Sequence, residues 1–121
     1  MPGLNIIVAV ADDRRFYAAL ETAMAAAALG RSVRVFLQGE AAALLRTPVA
    51  FSGDAARKAG GQPDLAWMVE EAIATGIELL VCQSGMALVE VAMADLVPHV
   101  RAAGLVSFMA SIGDDDRLVV Y

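Results

Sequence analysis

One cysteine, one histidine and one tryptophan occur in 121 residues, and each scarcity excludes a class of protein. Cys82 alone closes no disulfide within the chain, so no disulfide-stapled scaffold is expected and a reducing cytoplasm is the expected compartment. One cysteine and one histidine leave no recognisable zinc-ligand set, and neither a metal nor a cofactor is expected. Basic residues are also few: 9 Lys+Arg face 14 Asp+Glu, for a net charge of -5. Nucleic-acid affinity comes largely from neutralising phosphates with Lys and Arg, so such a surface argues against nucleic-acid partners. Long apolar runs are missing too. The uncharged stretches 79–89 and 102–113 fall well short of the ~20 residues a spanning helix needs, so no membrane role is expected. The N-terminal apolar run has no basic residue before it and is broken by Asn5, which argues against a signal peptide. Neither G-x-G-x-x-G after a strand nor G-x-x-x-x-G-K-[ST] is present, so both nucleotide fingerprints are absent.

What remains is strongly apolar: 59% hydrophobic against 19% charged residues. That balance excludes disorder. A chain of this length buries roughly two thirds of its unfolded surface, so one domain over residues 1–121 is expected. Such an apolar short chain also suggests that other subunits cover part of its surface.

Strand and helix patterns alternate along the chain. LNIIVAV (4–10) is a near-continuous apolar run, as in a strand buried on both faces. Asp12 and Asp13 can cap the next helix, 14–29, which carries Phe16, Leu20, Ala23, Met24 and Ala27 on one face and stops at Gly30. SVRVFL (32–37) is the second strand, ending at Gly39, with a short helix over 40–45. Residues 46–63 read as a long loop, and long loops in compact domains are usually functional or mobile. Asp64 caps a helix over 65–75, stopped by Gly76, and ELLVC (78–82) forms the third strand. A helix over 86–96, a further helical turn from Pro98 to Ala103, a strand over 105–110, a solvated turn over 113–116 and a last strand over 117–121 complete the pattern. Met24, Met68, Met86 and Met93 fall at core spacing, and Trp67 packs under the long loop or at a subunit contact. The alternation predicts a three-layer α/β/α sandwich with a mostly parallel five-stranded sheet.

In such sheets ligands gather beyond the carboxyl ends of the strands. Those ends carry Asp12-Asp13, Gln38-Gly39-Glu40, Cys82-Gln83-Ser84-Gly85 and Ser111-Ile112-Gly113. Cys82 is the one strong nucleophile among them. It sits where a strand turns into a helix, so free N–H groups of residues 84–86 are placed to surround its sulfur and favour the thiolate, or a persulfide anion. The same position equally suits a small hydrophobe closing a core strand, with Gln83, Ser84 and Gly85 forming only a turn and cap. His99 lies ~11 residues beyond the start of that helix, at ~1.5 Å each, too far for a Cys–His dyad within one subunit.

The chain resembles the DsrE/DsrF-like family of small sulfur-relay proteins over nearly its whole length, and three segments carry the resemblance. VRVFLQGEAAALL (33–45) is similar to the family's second strand and its glycine-acid turn. GIELLVCQSGMAL (76–88) is similar to the strand that delivers the family's cysteine, with a C-x-S/T-G arrangement. ADLVPHVRAAGLVSFMASIGDDDRLVVY (94–121) is similar to the closing elements. The residues after Cys82 depart from those of the best-known tRNA-thiolation subunits. The resemblance implies cytoplasmic homotrimers, homohexamers or mixed hexamers that carry sulfur as a persulfide on the residue matching Cys82. It thus implies a sulfurtransferase-type carrier between donor and acceptor proteins, with Cys82 reactive. Gln83, Ser84 and Gly85 would then shape the pocket, and Gly39, Glu40 and the 46–63 loop would gate it. The alternative is a non-catalytic oligomeric binding module in which Cys82 only packs.

Overall fold

Parallel strands demand crossover connections, and helical segments supply every one of them. The computed structural model describes residues 1–121 and contains five strands: β1 (Leu4–Val8), β2 (Val33–Leu37), β3 (Glu78–Cys82), β4 (Arg101–Ala103) and β5 (Arg117–Val120). They form one sheet in the order β4-β3-β2-β1-β5. Every neighbouring pair is parallel, so the sheet is wholly rather than mostly parallel. The helices are α1 (Asp13–Ala28), α2 (Asp54–Ala59), α3 (Leu65–Ala74), α4 (Gln83–Leu88) and α5 (Leu105–Ala110), with 3-10 segments at Gly39–Leu45 and Met93–Asp95. The strand order runs one way from β1 to β4 and then jumps back to β5 beside β1. Right-handed crossovers therefore put α1 and α3 on one face and α5 on the other.

The two faces are unequally filled. Strand side chains alternate between them, so Leu4, Ile6, Val8, Val35, Leu37, Leu79 and Val81 join α1 and α3 in a cluster of 25 buried residues. The opposite face holds a cluster of five: Ile7, Phe36, Leu80, Cys82 and Phe108. The sole buried polar side chain, Asn5, belongs to this thinner side. It donates to the Arg117 carbonyl and accepts from Arg34 Nε at 2.9 Å, so its burial leaves nothing unpaired.

Helix ends explain which expectations held. Asp12 caps α1 by accepting from the N–H groups of Arg14 and Arg15, and Asp64 caps α3 at Trp67. At the C-terminal ends, α1, α2 and α3 close with paired back-bonds around Gly30, Gly61 and Gly76, all at positive φ. α4 closes in the same way, since Glu90 N–H reaches Ala87 and Val91 N–H reaches Met86, yet its left-handed residue is Glu90 at φ 56. The helix expected over 86–96 is therefore cut at Leu88, with only a 3-10 turn further on.

Other expectations are corrected. The long loop 46–63 contains α2; Asp54 holds it by accepting from Phe51 and Leu65 N–H, and Arg57 stacks 3.9 Å over the Tyr17 ring. The turn of helix expected from Pro98 is instead the approach to β4, and the strand expected over 105–110 is α5. Arg-Ala-Ala carries little strand propensity; pairing with Leu80, Val81 and Cys82 imposes the conformation. Leu105 and Phe108, three apart, turn one helical face onto the sheet. Met93 is 44% exposed, not core. Trp67 is exposed on α3, beside a shallow surface hollow with Lys58 and Gln62.

Asp116, expected in a merely solvated turn, clamps β1 to β5: it accepts from Gly3 N–H at 2.8 Å and from Gly113 N–H at 2.9 Å. The N–H groups of Gly113 and Gly3, with Arg34 nearby, hold its carboxyl below the usual value of 3.8. A carboxyl depressed in the folded state stabilises fully above its unfolded pKa, and that contribution fades as pH falls through the folded value. Asp116→Asn should therefore lower the melting temperature at pH 7, and the gap from the parent protein should close below about pH 4. A gap unchanged down to pH 2.5 in thermal melts would remove the carboxylate charge from the account.

Candidate functional site

β3 delivers Cys82 to the carboxyl end of the sheet, where the residue also serves as N-cap of α4. Its side chain points to the thinner face, among Ile7, Phe36, Leu80 and Phe108, and the residue is only 5% exposed. Ser84 Oγ lies 3.1 Å from Cys82 Sγ. Burial pushes the thiol up and is the largest single influence on it. Against burial act the Ser84 hydroxyl and the backbone N–H groups of Gly39, Gly85 and Ser84. Together they prevail, and the thiol is held below its ordinary value of 9.0.

The N–H groups that act on the thiol differ from those expected by one member. Ser84 and Gly85 contribute as expected, Met86 does not, and the third N–H comes from Gly39 at the tip of β2. That group reaches the sulfur because α4 packs closely on the 3-10 segment Gly39–Leu45. Gly39 adopts φ +55, and a Cβ on Gly85 would sit 2.8 Å from the Gly39 carbonyl carbon. Gly39 therefore touches the site directly instead of standing at its margin.

The remaining candidates are less central. Gln83 and Glu40 are exposed, and neither side chain makes a hydrogen bond. The 51–63 part of the long connection turns toward α1 and α3: Tyr17 Oη donates to the Pro63 carbonyl at 2.9 Å, and Lys58 pairs with Asp64 at 3.1 Å. His99 precedes β4, whereas Cys82 pairs with Ala103 at that strand's far end, so the two do not form a dyad. His99 instead has φ 71 and lines a cavity of about 520 Å³ with Glu70, Ile73 and Val97 on the α3 side. No three His, Cys, Asp or Glu side chains converge on a point suited to a metal ion. No helix is long and apolar enough to cross a membrane.

Sequence reasoning missed α5 as a neighbour of the thiol. The Leu105–Phe108 spacing carried a helical signal, but the apolar LVSFMA run was equally strand-like.

Fold and site together define a wholly parallel α/β sandwich with one acidified cysteine at a strand tip. The chain belongs to the DsrE/DsrF-like family, whose sequence model matches residues 5–121. Two solved structures share the fold over 100% of both chains. They are the ychN protein from E. coli, with TM-score 0.75 and 18% identity, and MTH1491 from Methanobacterium thermoautotrophicum, a protein of unknown function, with TM-score 0.73 and 13% identity. No curated protein sequence matches the chain.

Proposed function

We propose that the protein carries sulfur as a persulfide on Cys82, between a donor and an acceptor of a sulfur relay. The observation that carries this reading is the placing of the one thiol at a strand tip, as N-cap of α4 and 3.1 Å from Ser84 Oγ, where the Ser84 hydroxyl and nearby N–H groups favour the thiolate against burial. Membership of a sulfur-relay-related family supports it. In the loading step Cys82 thiolate attacks the outer sulfur of a donor persulfide, forming a new S–S bond while the donor's own S–S bond breaks and its thiolate leaves. The N–H groups of Gly39, Ser84 and Gly85 then face the negative charge of the bound persulfide. In the unloading step an acceptor thiolate takes the outer sulfur and Cys82 thiolate departs, so no net oxidation or reduction occurs. The reaction needs a reduced thiol, which suits a cytoplasmic setting.

Self-association fits the exposed edge strand β5. Leu118 and Val120, 40% and 60% exposed, share one face of it by their register with Asn5 and Ile7. A second copy laid on this apolar patch would bury it, as in a homotrimer or homohexamer.

Intact-protein mass spectrometry tests the relay. After incubation with a low-molecular-weight persulfide, the protein should gain one sulfur mass, lose it on addition of an acceptor thiol, and gain none as Cys82→Ser. A second reading has its own observation. The 5% exposure of Cys82 within an apolar cluster suits a packing residue in a non-catalytic binding module. Iodoacetamide separates the two: rapid labelling below neutral pH supports the relay, and inertness of the folded protein supports packing.

A further inference from the structure

A thiol that exchanges sulfur with other molecules has to be reached along the S–S axis, yet the Cys82 residue is 95% covered. It shares one buried cluster with the strand side chains Ile7, Phe36 and Leu80 and with Phe108 of α5, and Leu105, just past the Ala103 that pairs with Cys82, packs against that cluster. The strand side chains are fixed by the sheet. α5 is held far more lightly. It has six residues, no side-chain cap at Gly104, and a single buried side chain, Phe108. A helix this short has no stability of its own in water, so its packing contacts hold it in place. Those contacts are few and centre on one ring. Phe108 stacks on Phe36 with centroids 4.8 Å apart, and the Arg34 guanidinium lies 4.5 Å from the centroid of the Phe108 ring. Arg34 also donates to Ser111 Oγ at 2.7 Å, just past the helix end.

We propose that α5 is a displaceable cover of the thiol, pivoting at Gly104 and latched by Phe108, which donor and acceptor must lift to reach Cys82. As a control point for sulfur transfer this rests on the relay reading; as a barrier to any thiol reagent it does not. Segments with few buried contacts open at a small fraction of the cost of global unfolding, and α5 is such a segment, its Phe108 in the same small buried cluster as the one nucleophile. Opening exposes the sulfur while Gly39, Ser84 and Gly85 stay in place, because those donors belong to the 3-10 segment after β2 and to α4. The cover therefore sets how often the thiol is reached, and the N–H groups set how much of it is thiolate.

The pH profile of iodoacetamide labelling on the full-length protein separates these quantities. Its midpoint reports thiol acidity and its high-pH plateau reports access. Phe108→Ala should raise the plateau about tenfold with little change of midpoint. Phe108→Leu, which keeps an apolar side chain and protects the fold, should raise it about threefold. Gly104→Ala meets nothing within 4 Å and sits at ordinary extended dihedrals, so it should stiffen the pivot and lower the plateau about twofold. Ser84→Ala should move the midpoint up and leave the plateau unchanged. A plateau indifferent to residue 108 in folded variants overturns the cover, as does a plateau that rises as much for Ser84→Ala as for Phe108→Leu, which would place the approach beside the hydroxyl. Persulfide loading followed in parallel keeps the two readings apart. A raised plateau with no sulfur loaded by any variant upholds the cover and removes the relay.

Discussion

Gly85→Ala should both destabilise the protein and make Cys82 a weaker acid. The new methyl would lie 2.8 Å from the Gly39 carbonyl carbon and 2.9 Å from its Cα. Those are backbone atoms that cannot rotate aside as a side chain can. Either α4 or the start of the Gly39–Leu45 segment has to move, and overpacking of this kind costs roughly 1–3 kcal/mol, with a backbone obstacle at the upper end. In a chain of this size that is a fall on the order of 10 °C in melting temperature. The same displacement draws the Gly39 N–H away from Cys82 and so removes one influence that lowers the thiol pKa. Thermal melts and the midpoint of the labelling profile read the two effects, and both should shift. Gly39→Ala is the informative comparison. Nothing lies within 4 Å of a Cβ there, so that change strains φ +55 without pushing α4 away. It should cost about 1–2 kcal/mol and leave the labelling midpoint nearly in place. Equal midpoints for Gly85→Ala and the parent protein would show that the close approach does not set the acidity.

That pairing marks the boundary of what the sequence could reveal. Cys82, Ser84 and Gly85 are neighbours in the chain, and a strand ending at a small polar turn is a local pattern, so this half of the site was legible. The Gly39 N–H arrives from another strand tip, and only the packed fold brings it within reach of the sulfur. The same division runs through the secondary structure. Gly30 and Gly76 announce the ends of α1 and α3 because glycine adopts the left-handed conformation without a Cβ penalty. Glu90 does the same task at the end of α4, and no residue-type rule flags a glutamate there. β4 is a strand because β3 offers it a hydrogen-bonding edge, and α5 is a helix because its Phe108 finds Phe36. Neither cause is visible in three to six residues taken alone. The fold class survived these misplacements because it depends on the long apolar strands β1, β2 and β3 and on the amphipathic helices α1 and α3.

Phe36→Ala should have the largest effect on stability, and the thinness of the second face is the reason. Phe36 is fully buried on β2, the middle strand of the sheet. Truncating a buried phenylalanine typically costs about 3–5 kcal/mol, through lost transfer free energy and the cavity left behind. Domains of this kind have only about 5–15 kcal/mol in total. The cluster around Phe36 has five buried members, against 25 on the other face, so few side chains are available to move in and shrink the cavity. Phe108 would lose its stacking partner, and α5 with it the principal contact that holds it on the sheet. Phe16→Ala supplies the control. That ring is equally buried but belongs to the larger cluster under α1. Urea titration should show both variants strongly destabilised, while the labelling plateau of Cys82 under native conditions should rise for Phe36→Ala and stay at the parent level for Phe16→Ala. If the two variants raised the plateau alike, labelling would be reporting global unfolding, and the sulfur would be protected by the whole fold and not by one short helix. If Phe36→Ala cost less than about 1 kcal/mol, well under the range for a buried aromatic, α5 and the neighbouring strands would have closed over the vacated space, and the second face would be more adaptable than its five residues suggest.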